Sequence, residues 1–125
     1  MRVFKYKWFH RWAEEEKLSD NLLSEVARQI INGQVEADLG GYLFKKRIPR
    51  QGRGKSSGYR VIVGYKRPDD SRIVFLYAFP KNSRSNITLR EKSALQLVAK
   101  SFILATDDQI NKLLANKEYR EITDE

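Results

Sequence analysis

Tyr59-Arg-Val-Ile-Val-Gly-Tyr-Lys-Arg67, Pro68-Asp-Asp-Ser71 and Arg72-Ile-Val-Phe-Leu-Tyr-Ala-Phe79 form the stretch that decides the fold. Two runs rich in β-branched and aromatic residues flank four residues in which Pro presets a turn dihedral and Asp offers local hydrogen bonds. This is the pattern of two strands joined as an antiparallel hairpin. Upstream, Tyr42 to Ile48 has the same texture and adds a third strand. The link from Pro49 to Gly58 sets Arg50, Arg53 and Lys55 among Gly52, Gly54 and Gly58, a cationic loop with unusual backbone freedom.

On either side of these strands the apolar period lengthens. Phe4, Trp8 and Trp12, with Phe9, recur at fours, and beyond a cap at Ser19 or Asp20 the residues Leu22, Leu23, Val26, Ala27, Ile30 and Ile31 make one stripe. The pair reads as a helical hairpin, stopped by Gly33 and then by Gly40-Gly41. After the strands, Thr88 with Glu91 matches a capping box ahead of Leu95, Val98, Phe102 and Ile103, and Thr106 with Gln109 repeats it ahead of Ile110, Leu113 and Leu114. Tyr119 and Ile122 can add a few residues to an edge strand. The expected fold is therefore α+β, an N-terminal helical hairpin and C-terminal helices packed on one face of a small antiparallel sheet. At 125 residues the chain is expected to be a single domain, 1–125.

Composition narrows the function classes. The absence of cysteine excludes a disulfide framework, a thiolate nucleophile and cysteine-based metal sites, and it fits a reducing cytoplasm. Apolar runs such as Ile73 to Phe79 fall far short of the roughly 18 to 20 residues of a membrane helix, and no apolar leader opens the chain, so no membrane role is expected. The formal charge is +8, and it is unevenly placed. Between Leu39 and Arg90 there are 13 Lys and Arg against two acids, Asp69 and Asp70. Lys45, Lys46, Arg47, Arg50, Arg53, Lys55, Arg60, Lys66 and Arg67 follow one another with no acid between them. Such a density attracts a polyanion through phosphate neutralisation and counterion release, which makes nucleic acid the leading partner class beside the plainer reading of a solvated basic surface.

The single histidine, His10, cannot form a catalytic pair, and no metal or other cofactor is expected. Gln51 to Gly58 lacks the spacing of a phosphate-binding loop and leads into a strand, which argues against an NTPase. What remains is Arg and Lys chemistry on a sheet. Strict alternation would put Arg60, Ile62, Gly64 and Lys66 on one face of their strand, and Phe75, Tyr77, Phe79 and Lys81 on one face of the next. Aromatics beside cations suit single-stranded RNA, with bases stacked on rings and phosphates held by charge. Phe75 and Phe79 fit equally well as core residues under a helix.

Asp38-Leu-Gly-Gly-Tyr-Leu-Phe-Lys-Lys-Arg-Ile48, Gly52-Arg-Gly-Lys-Ser-Ser-Gly-Tyr-Arg-Val-Ile62, Phe79-Pro-Lys-Asn82 and Leu89-Arg-Glu91 together resemble the RelE/HigB-type toxins of bacterial type II toxin–antitoxin modules, within the RelE/ParE superfamily. The resemblance implies a microbial-ribonuclease-like fold with an N-terminal helical hairpin on a twisted antiparallel sheet. It also implies an mRNA interferase, a metal-independent endoribonuclease that cuts messenger RNA in the ribosomal A site and arrests translation and growth. Its partners would be messenger RNA, the ribosome and a cognate antitoxin of helix-turn-helix type. By the resemblance, Arg60, Lys55 and Lys81 would be catalytic, with Arg53 and Asn82 beside them on the RNA; the charge density adds Lys45, Lys46, Arg47 and Arg50 as RNA-binding residues, and the aromatic alternation adds Tyr77. Ser57 and Pro80 depart from the family pattern, and Tyr119 could stand for a C-terminal tyrosine. Two other classes share the scaffold or the charge: a gyrase-directed ParE-like toxin, and a non-catalytic RNA-binding regulatory module.

Overall fold

The computed structural model describes residues 1–49, 58–66 and 72–123. The chain runs β1 (Arg2–Tyr6), α1 (Lys7–Glu15), α2 (Asp20–Ile31), β2 (Ala37–Gly40), β3 (Leu43–Ile48), β4 (Tyr59–Tyr65), β5 (Arg72–Pro80), α3 (Leu89–Ile103), α4 (Asp107–Ala115) and β6 (Tyr119–Ile122). The strands form one sheet in the order β2-β3-β4-β5-β1-β6. Neighbours are antiparallel except β1 and β5, which are parallel, so the sheet is mixed where an antiparallel one was expected.

The α+β class holds, while the N-terminus differs from the sequence reading. It is a strand before it is a helix, and the two helices of the expected hairpin follow β1. Val3 and Phe4 are both buried, in different cores, because β1 lies inside the sheet between β5 and β6. Phe4 therefore belongs to β1 and Trp8 and Trp12 to α1, so the spacing of four spans a strand-to-helix junction. Strand β2 was not expected either. It precedes a turn in which Gly40 and Gly41 take left-handed φ of +78° and +57°, a region a Cβ disfavours.

Helices cover both faces of the sheet, where one covered face was expected. On one face Phe9 and Ala13 of α1 and Leu23, Val26, Ala27 and Ile30 of α2 pack on Phe44, Ile48, Val61, Val63 and Phe75, a first core. On the other, Ala99 and Phe102 of α3 and Ile110 of α4 pack on Phe4, Leu43, Ile62, Val74, Leu76 and Phe79, a second core. Gly64 lets α3 approach, since a Cβ there would lie 3.0 Å from Val74 and 3.2 Å from Ala99. Three helix caps stand as read. Ser19 Oγ accepts the Leu22 N–H, and Thr88/Glu91 and Thr106/Gln109 are complete capping boxes.

A β-bulge corrects the expected alternation in β5. Ile62 pairs with Tyr77 but Val63 pairs with Phe75, leaving Leu76 as the extra residue. Phe75 consequently faces the first core while Leu76 and Phe79 face the second, and both phenylalanines are buried. Neither is a stacking platform for bases. The expected turn at Pro68 to Ser71, together with Arg67, lies outside the described residues.

Candidate nucleic-acid interface

Register brings the strand cations together. In the β3–β4 pair Arg47 lies opposite Arg60 and Lys45 opposite Ile62, and in the β4–β5 pair Arg60 lies opposite Phe79. By alternation Lys45, Arg47 and Arg60 share the face of the second core. They occupy the end of the β3–β4 hairpin from which residues 50–57 lead off.

Like charges directly opposed across two strands repel. A carboxylate pairs with Arg60. Arg60 donates from Nε to both Glu36 oxygens at 3.2 and 3.1 Å, and from Nη2 to Oε1 at 3.0 Å. Glu36 is itself placed by its backbone N–H, which donates to the Lys45 carbonyl at 2.8 Å just ahead of β2. The Arg60 side chain retains 11% exposure and that of Glu36 31%, so the pair is sheltered but reachable.

The remaining site residues divide. Lys45 is buried, and its Nζ donates to the Ser85 carbonyl at 3.4 Å, which ties β3 to the segment between β5 and α3. Lys81 donates its backbone N–H to the Gly58 carbonyl at 2.9 Å, which sets it and the exposed Asn82 beside the start of β4, two residues from Arg60. Lys46 lies on the opposite face between Phe44 and Ile48, where partial burial lowers the pKa of its ammonium. Tyr77 points elsewhere. It lines a cleft of about 290 Å³ with Tyr6, Trp8, Leu76, Leu95 and Val98, its ring 4.7 Å from that of Trp8 and its hydroxyl accepting from Arg84 at 2.9 Å. Arg50, Arg53 and Lys55 lie outside the described residues.

Two acids have arginine partners that sequence reasoning did not find. Glu36 is one, and with Asp38 it stands just ahead of the acid-free basic run. Glu91 is the other. Beyond its capping role it takes both arms of Arg84, at 2.8 and 2.9 Å, and the Arg84 guanidinium lies 4.9 Å from the centre of the Phe79 ring.

The family model described as RelE toxin of RelE / RelB toxin-antitoxin system matches residues 1–122. The chain belongs to the RelE toxin family. It is thus a toxin of a toxin–antitoxin system. No curated protein matches it. In this RelE-family toxin His10 stands apart from the strand cations. It pairs with Glu14 on α1, and burial together with Lys5 and Arg120 lowers its pKa. Tyr119 is a core residue, 4.5 Å from the Phe102 ring centre and 5.2 Å from that of Tyr6, and burial pushes its phenol up to about 12. Among the described residues no three His, Asp or Glu side chains gather as a metal ion would require, and no helix is long and apolar enough to cross a membrane.

Proposed function

We propose that this RelE-family toxin, as one domain over 1–125, is a ribosome-dependent endoribonuclease that acts in the cytoplasm on messenger RNA in the ribosomal A site. The observation that carries this reading is the Arg60 guanidinium, fixed at the head of a strand hairpin whose cations have no acid among them from Lys45 to Arg67. A guanidinium held in that way meets the charge that builds on phosphoryl oxygens without reorganising at the moment of reaction.

In the reaction the ribose 2′-oxygen attacks the adjacent phosphorus. The O2′–P bond forms, the P–O5′ bond breaks, and a 2′,3′-cyclic phosphate and a free 5′-hydroxyl result. The proton lost from the 2′-hydroxyl and the proton gained by the 5′-oxygen pass through Lys55, four residues before β4 in sequence, and Lys81, the residue after β5. Arg60 stabilises the transition state. Arg47, Arg50, Arg53 and Asn82 hold RNA phosphates, which gives affinity without base specificity. A cognate antitoxin of helix-turn-helix type neutralises the toxin.

The test is a reconstituted translation reaction in which messenger 5′ ends are mapped by primer extension, with and without ribosomes, for the wild-type and Arg60→Ala proteins. Ribosome-dependent cuts at codon positions, absent with Arg60→Ala, are expected. An intact messenger in the presence of growth arrest would overturn the reading and direct attention to gyrase.

A further inference from the structure

A guanidinium has two hydrogen-bonding edges, and in Arg60 the Nε/Nη2 edge is taken by Glu36 at 3.0 to 3.2 Å. Among the described residues, the donors left over are those of Nη1 and the outer N–H of Nη2, a pair that matches two oxygens of a phosphate. The stem of Arg60 is packed into the sheet with 11% of the side chain exposed, so the freedom that remains is rotation of the head group. Arg47 lies directly across the strand. Among the described residues Glu36 is the group that holds the Arg60 head. Both anchors are rigid, because Arg60 lies within β4 and Glu36 is fixed to β3 through the Lys45 carbonyl.

We propose that Glu36 is a positioning residue for Arg60, turning its free edge toward the scissile phosphate. This inference rests on the ribonuclease reading above. Glu36 acts through Arg60 and takes no proton from the substrate. Its negative charge also opposes RNA approaching the basic end of the sheet, so its removal has two effects of opposite sign, tighter binding and slower cleavage. A residue needed only for folding would not separate them.

The experiment measures kcat and KM for messenger-programmed ribosomes with wild-type protein, Glu36→Ala, Glu36→Gln, Arg60→Lys and the double variant Arg60→Lys with Glu36→Ala. Glu36→Ala is expected to lower kcat roughly 10- to 100-fold, the scale of a misdirected catalytic group, with KM unchanged or lower. Glu36→Gln recovers part of the loss, since its amide oxygen still accepts from the guanidinium. On the Arg60→Lys background the loss of Glu36 costs nothing more, because an ammonium has no edge to orient. If Glu36→Ala melts too early to assay, Glu36→Asp replaces it. Its carboxylate is one methylene short of both nitrogens, and an intermediate kcat is expected.

Glu36→Ala cleaving as fast as wild type, Glu36→Gln as slow as Glu36→Ala, or an additive loss in the double variant would each overturn the proposal. A wild-type protein that leaves the messenger intact, or an Arg60→Ala protein that cleaves normally, overturns the ribonuclease reading itself and the role of Glu36 with it. The Arg60 variants thus separate the two failures.

Discussion

Arg84 holds Glu91 with both arms of its guanidinium, at 2.8 and 2.9 Å, and so fastens the first turn of α3 to the segment that follows β5. The same arginine donates to the Tyr77 hydroxyl and lies over the Phe79 ring. One side chain therefore connects a helix cap, a strand and the edge of the second core.

Arg84→Ala is expected to lower stability in a pH-dependent way. The hydrogen bonds from Arg84, and after them those from Thr88, hold the Glu91 carboxyl at about 2, against an ordinary 4.5. A depressed carboxyl stabilises the folded state above its unfolded pKa and loses that contribution as pH falls through the folded value. The gap in melting temperature between wild type and Arg84→Ala is full at pH 7, begins to shrink near pH 4.5 and closes toward pH 2. Because the pair is about a third exposed, solvent screening limits its contribution to ~1 kcal/mol, or roughly 3 to 5 °C. Thermal denaturation followed by circular dichroism across pH measures it.

Tyr119→Phe should leave RNA cleavage unchanged, since the ring is packed among Phe102 and Tyr6 and takes no part in the cation cluster. Its phenol keeps its proton to about 12 in the folded chain, from burial first and then from Tyr6 and Glu118, while in the unfolded chain it ionises near 10. A raised pKa contributes stability below the unfolded value and loses it as pH rises toward the folded one. The wild type is expected to lose stability between about pH 10 and 12 more steeply than Tyr119→Phe, as read from alkaline denaturation curves.

Much of this arrangement was legible in the sequence, and the exceptions have physical reasons. Strands β3, β4 and β5 announced themselves by β-branched and aromatic runs, and Thr88 and Thr106 by the acceptors three residues on. Strand β1 did not, because Val3 and Phe4 are buried on opposite faces and an apolar run without alternation has no period of its own. The bulge at Leu76 depends on pairing with β4, and nothing within β5 marks it. The cations of the site were visible as charge density, whereas the Glu36–Arg60 contact arises only when three strands take their register.

Gly58→Ala is expected to damage the site from its base. A Cβ at this position would lie 2.7 Å from the Ile48 carbonyl oxygen, a backbone atom that cannot step aside without parting β3 from β4. The cost is about 1 to 3 kcal/mol, in the range of an overpacked position. Chemical denaturation reads the loss of stability, and the translation assay should show cleavage falling further than the unfolded fraction explains, because Arg47 and Arg60 share that hairpin end.

RNA binding is expected to weaken steeply with salt, and its slope assigns the contacts. Each phosphate contact to a single strand contributes about 0.7 to the slope of log affinity against log salt. Arg47→Ala should make the slope shallower by about that amount, and Lys46→Ala, on the opposite face, should leave it unchanged. Fluorescence anisotropy of a labelled oligoribonucleotide across a salt series distinguishes them.

The place of β1 in the sheet also governs the order in which the molecule can assemble. Its partners β5 and β6 come from the distant end of the chain, with Arg2 opposite Arg72 and Val3 opposite Ile122. During synthesis the first strand emerges with both apolar faces bare and must wait for nearly the whole polypeptide before it can dock. The β3–β4 hairpin can close early from neighbouring residues, but the framework that holds its cations rigid is completed last. The pairing that locks β1 between its neighbours therefore depends on residues made more than a hundred positions later.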